Sequence, residues 1–161
     1  GGLWAHYMLS YDSFGSSVAP LGDMNGDGVV DFAVGAPNDD DGGYAGAFYL
    51  IFATTSGTVG DADKVSMREG GFASFYTLDS LDGFGSSLAL LGYSDGTLEL
   101  VVGATGDDDG GSAAGTVYTV SFEMVSPTLA PTASSVPTTT PLPTPYNKCA
   151  SASRCRSLMN R

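Results

Sequence analysis

Histidine and tryptophan occur once each in this chain of 161 residues, and cysteine only twice. The single histidine, His6, stands in an apolar run beside Trp4 and Tyr7 and reads as a packed strand residue, without the partners a general base needs. The serines of the repeated FGSS positions follow glycines without forming a G-x-S-x-G elbow. Enzymatic activity is therefore not expected. Cys149 and Cys155 stand in the tail as C-x5-C, a spacing that fits no usual zinc pattern, with no histidine nearby. A local disulfide is the first reading and pairing to another chain the second. Either suits an oxidising, extracellular or cell-surface setting.

Positive charge is scarce: six Lys and Arg face 18 Asp and Glu, for a net charge of −12. All the acids precede residue 126, where only Lys64 and Arg68 oppose them, whereas residues 146–161 hold Lys148, Arg154, Arg156 and Arg161 and no acid. An acidic surface repels nucleic acid and anionic membranes and attracts divalent cations. No apolar run approaches the roughly 20 residues of a membrane-spanning helix, so direct membrane insertion is not expected. The chain begins at Gly1 without Met, which points to a processed or partial chain.

Glycine, by contrast, is abundant, and it punctuates a stretch that occurs twice. Residues 14–37 read FGSSVAPLGDMNGDGVVDFAVGAP and residues 84–105 read FGSSLALLGYSDGTLELVVGAT. Each copy follows a Gly-Gly and precedes an Asp-Asp-Asp-Gly-Gly run (39–43 and 107–111), then a short apolar segment, 45–52 or 114–122. Self-similarity at a fixed period means stacked or radially arranged units, none able to bury its apolar face alone. Short apolar, β-branched and aromatic runs bounded by Gly, Asp and Ser predict four strands per copy: 4–9, 17–21, 32–35 and 47–52, then 72–78, 87–91, 98–103 and 116–122. The expected fold is all-β, two propeller-blade-like antiparallel sheets with little helix.

Four regions follow: a first repeat at 1–69 with an acidic loop, a second at 70–125 with a degenerate loop, a Ser/Thr/Pro segment at 126–145, and a basic tail at 146–161. Six prolines and no charge make 126–145 extended and polyproline-II-like. Such composition also reads as an O-glycosylated stalk, with Thr128, Thr132, Ser134, Ser135, Thr138, Thr139, Thr140 and Thr144 as acceptors. An unmodified linker is the plainer alternative.

In the first copy Asp23, Asn25 and Asp27 alternate, which points three side-chain oxygens at one centre where the backbone curls. Gly28 permits the sharp turn, Val29 offers its carbonyl, and Asp31 closes the cage. An ion-free hairpin turn is the bland alternative, since Asn-Gly and Asp-Gly form turns by themselves. Three carboxylates within nine residues repel one another without a cation, which favours a metal. A flexible cage of protein oxygens suits Ca2+ better than Mg2+. The second copy is an internal control: its loop is two residues shorter and keeps only Asp95 and Glu99. The acidic runs Asp39 to Asp41 and Asp107 to Asp109 remain open between secondary cation sites, docking points for a basic tail, and solvated loops.

Phe14-Gly15, the 23–31 loop and Gly35-Ala36-Pro37 together resemble the FG-GAP repeat of integrin α-subunit propellers, and Phe84-Gly85 with Gly103-Ala104-Thr105 resembles a second, degenerate copy. The resemblance implies four-stranded blades, a calcium loop of the β-hairpin kind, and an extracellular setting. Two repeats cannot close a ring that usually holds seven. The first functional expectation is thus an extracellular structural or adhesive module that associates with copies of itself, with a filament as one form of that association. The second is integrin-like recognition of a protein or glycan ligand. An accessory domain of a secreted hydrolase ranks third.

Overall fold

The computed structural model describes residues 8–40, 43–72, 77–112 and 114–123. The Ser/Thr/Pro segment with its candidate glycosylation sites, Cys149 and Cys155, the basic tail and His6 lie outside the described residues. Among the described residues there are seven strands and no α-helix. The first sheet is a meander of β1 (Ser17–Gly22), β2 (Asp31–Ala36), β3 (Ala47–Ala53) and β4 (Val59–Ser66), in that order. The second runs β5 (Phe84–Ser94), β6 (Thr97–Ala104) and β7 (Thr116–Glu123). All strand pairings within both sheets are antiparallel, and the two sheets stay separate rather than closing into a barrel.

Alternation decides which side of each strand packs where. Along β3, Phe48, Leu50 and Phe52 enter the main core, while Ala47, Tyr49 and Ile51 belong to a smaller cluster on the opposite face of the sheet. The main core is shared by both sheets. Leu98, Leu100, Val102 and Ala104 of β6 and Tyr118, Val120 and Phe122 of β7 complete it from the other side. Phe84 stacks there among Phe48, Phe72 and Tyr118.

The repeat-to-repeat contact is made by backbone at close range. The Phe84 N–H donates to Ala45 O at 2.9 Å, the Leu81 N–H to Tyr44 O at 2.8 Å, and the Ser17 hydroxyl to Gly85 O at 2.7 Å. A Cβ on Gly35 would lie 1.9 Å from Gly85 O, and one on Gly85 would lie 2.2 Å from Ala47 O. Only glycine allows the two sheets to approach this closely.

The strand reading needs one correction. Among the described residues the fourth strand of the first sheet is β4, a segment outside the expected set. Residues 8 and 9 carry no strand, nor do 77 and 78, and 4–7 and 73–76 lie outside the described residues. β4 was hidden by its composition, VGDADKVS, in which charge masks the period-2 pattern. Its register explains the charge: Asp61, Asp63 and Val65 face Phe52, Leu50 and Phe48 across the ladder, with Val65 alone fully buried.

Burial, and then the neighbouring Asp61 charge, push the Asp63 carboxyl up to about 6. Its folded value exceeds the unfolded one, so the native state binds the proton more tightly between about pH 4 and 6 and stability falls as pH rises through that window. Urea titrations of the chain at pH 4.5 and 6.5 are expected to show this loss, and Asp63→Asn is expected to remove part of it. An equal slope in both proteins would contradict the assignment.

Candidate metal centre

The 23–30 loop leaves β1 at a bulge between Pro20 and Gly22, where Gly22 takes φ +74°. A Cβ there would meet the Tyr93 hydroxyl of the second repeat at 2.9 Å. Met24 is fully buried in the main core and pins the loop, leaving Asp23 and Asn25 on either side half-buried at the surface. Gly26 (φ +76°) and Gly28 (φ +86°) reverse the chain twice within three residues, and a Cβ on Gly28 would meet nothing within 4 Å. Gly28 is thus required for its backbone angle alone.

Within this curl the acidic side chains face backbone amides. Asp23 accepts the N–H groups of Gly26 at 2.5 Å, Asp27 at 3.1 Å and Gly28 at 3.0 Å. Asn25 Oδ1 accepts the Asp27 N–H at 2.9 Å, and Asp27 accepts the Val29 N–H at 2.8 Å. The Asn25 amide also reaches Asp27 at 3.4 Å. Asp31 heads β2, is fully buried, and accepts the N–H groups of Met24 at 2.8 Å and Ala53 at 3.1 Å. It therefore ties the loop to the end of β3. Burial pushes its carboxyl up, and the amide bonds pull it back.

Asp23, Asn25, Asp27, Val29 and Asp31 thus share one loop and its exit strand. The donor set fits a hard cation: it is all oxygen, and each carboxylate offers about four lone-pair sites, of which Asp23 uses three on amides and Asp27 fewer. The second repeat lacks every part of this. There β5 and β6 are joined by Asp95 (φ +48°) and Gly96 (φ +80°), a two-residue turn with both angles positive, as in type I′ hairpins.

The acidic runs divide in a way the sequence reading left open. The first Asp of each is buried: Asp39 accepts the Tyr49 hydroxyl at 2.9 Å and pairs with Lys64 at 2.7 Å, and Asp107 accepts the Tyr118 hydroxyl. The signal was present, since a tyrosine follows ten or eleven residues after each of these aspartates. The remaining acids of the second run are exposed, and Asp108 and Asp109 come together with Asp79, the three carboxylates lying within 4.8 Å of one another.

Stacked antiparallel sheets with an Asx-rich loop on the first hairpin define a propeller-blade type of repeat. Residues 14–51 match the FG-GAP repeat family and residues 79–120 match it again, so the chain is an FG-GAP repeat protein with two repeats. FG-GAP repeats often bind Ca2+ and point to a β-propeller-type module of the extracellular, adhesion-like kind. Among the described residues no helix is long and apolar enough to cross a membrane.

Proposed function

We propose that the chain is a non-enzymatic extracellular structural or adhesion module whose first repeat is stiffened by Ca2+ held at Asp23, Asn25, Asp27, the Val29 carbonyl and Asp31. The observation that carries the reading is the contrast between the two hairpins, an oxygen-only loop in one repeat and a bare two-residue turn in the other. A cation there would offset the repulsion of clustered carboxylates and fix the entry to β2. Copies of the chain are its partners, held apart by a Ser/Thr/Pro stalk that carries O-linked glycans. Analytical ultracentrifugation in calcium tests the association, and intact-mass spectrometry of native material tests the glycans and the Cys149–Cys155 bridge.

Calcium at 100 times its dissociation constant is expected to stabilise the fold by about 2.7 kcal/mol. That corresponds to a rise in Tm of roughly 10–20 °C for repeats of this size. Chelator should reverse the rise, and Asp27→Asn should blunt it. An unchanged midpoint with and without chelator would remove the metal from this reading.

Recognition of a protein or glycan ligand is the second reading. It is favoured by Tyr11 (92% exposed), Tyr44 and Leu81, large side chains exposed at positive φ (79°, 66° and 76°) in turns around the Phe-Gly elbows. Backbone strain of that kind at bulky exposed residues is characteristic of binding loops. A ligand screen against the wild type and Tyr44→Ala distinguishes the two readings.

A further inference from the structure

Besides the 23–30 loop, the two repeats differ at one sheet edge. In the first sheet β4 covers β3, with Lys64 opposite Tyr49 and Val65 opposite Phe48, and the Lys64 ammonium reaches the buried Asp39. In the second sheet β7 stands in the place of β3, and among the described residues no strand lies on its outer side. Val117, the register counterpart of Phe48, lies on the face of β7 turned away from the main core and is 67% exposed. Asp107, the counterpart of Asp39, is buried and accepts the Tyr118 hydroxyl, and among the described residues it has no ion pair. The hydrogen bond from Tyr118, with help from Thr116, holds its carboxyl below the ordinary range, so it carries full negative charge at neutral pH. A strand edge with no neighbour among the described residues, beside an ionised carboxylate, suits an extended basic segment.

The pattern of β4 states what that segment must contain: a cation opposite Tyr118, followed by a small apolar residue opposite Val117. Four of the six Lys and Arg residues lie at 146–161, and Lys148-Cys149-Ala150 follows the order of Lys64-Val65-Ser66. The residues that precede it, 126–145, hold six prolines. By composition this is a proline-rich spacer, a class that is semi-rigid at about 3.1 Å per residue and so favours delivery of a tail to another molecule over a return to its own edge.

We propose that the outer edge of β7 receives the Lys148 segment of a second copy as a fourth strand, with Lys148 paired to Asp107. The contact is heterologous: each copy offers one edge and one tail, so it propagates as a chain of molecules. It rests on the reading that copies associate, and it names the surfaces through which they do so.

The test uses the full chain carrying Cys155→Ser, which leaves Cys149 without that candidate disulfide partner, and Val117→Cys, a substitution at an exposed position of β7. In a glutathione buffer, with association followed in parallel by ultracentrifugation, a bridge from Val117→Cys to Cys149 is expected between copies. The β7 amides that point away from β6 should exchange at least tenfold more slowly in associated than in dilute protein, and Lys148→Glu should abolish that protection while leaving β6 unchanged. Association without the bridge or the protection overturns the docking site but not self-association. A bridge within one chain overturns the second copy as donor. Absence of association overturns both.

Discussion

Replacing Gly85 by alanine is expected to lower the unfolding free energy by about 4 kcal/mol, while the same replacement at Gly15 costs roughly 1–2 kcal/mol. The two glycines are equivalent positions of the repeat, each following the phenylalanine of its elbow, and their backbones are nearly the same, with φ +89° and +94°. Alanine pays the left-handed strain at both. What differs is the neighbourhood: a Cβ on Gly85 would lie 2.2 Å from Ala47 O and 3.4 Å from Ala36 N, whereas one on Gly15 would meet nothing within 4 Å. The clash is with backbone in a hydrogen-bonded sheet, which cannot step aside as a flexible side chain can. The difference between the two variants, read from urea midpoints at one calcium concentration, isolates the steric part of the repeat interface. Equal losses would mean that the sheets are free to separate at this point. Because the Ser17 hydroxyl donates to Gly85 O and Ser17 begins the strand that leads to the 23–30 loop, the Gly85 variant should also weaken the response to calcium.

Much of this arrangement is legible in the sequence. The FGSS and GA motifs locate the elbows, and six of the eight expected strands fall on β1, β2, β3, β5, β6 and β7, because apolar alternation is clean there. β4 was missed for a physical reason: at a sheet edge one face needs only Val65 to reach the core, so Asp61 and Asp63 are tolerated on that same face and the pattern is lost. The metal loop was legible as a set of ligand types, but its internal bonding was not. Nothing in the spacing says that Met24 is the anchor or that Asp31 would turn inward to the amides of Met24 and Ala53. The acidic runs were the least legible. A string of three aspartates reads as a solvated loop, and only a long-range partner such as Tyr49 or Lys64 singles out its first member.

That partner carries the other large effect. Lys64→Met is expected to cost about 3–5 kcal/mol, because it keeps the volume of the side chain while leaving Asp39 buried and charged without its counter-ion. Both side chains of the pair are 2% exposed, so water cannot replace the lost ammonium. The Tyr49 hydroxyl still donates to Asp39, which tempers the loss without supplying charge. The second repeat shows why a hydroxyl cannot take the place of the lysine here. Asp107 is held by Tyr118 and by Thr116, and the residue equivalent to Thr116 is Ala47, which has nothing to donate. Lys64→Met combined with Asp39→Asn should therefore recover more than half of the stability lost in the single variant, since removing both charges also removes the uncompensated one. Denaturant unfolding of the wild type, both single variants and the double variant gives the coupling directly. A double variant as unstable as the sum of the singles would show that Lys64 holds β4 through its charge over the Tyr49 ring, 5.6 Å from the centroid, and not through Asp39.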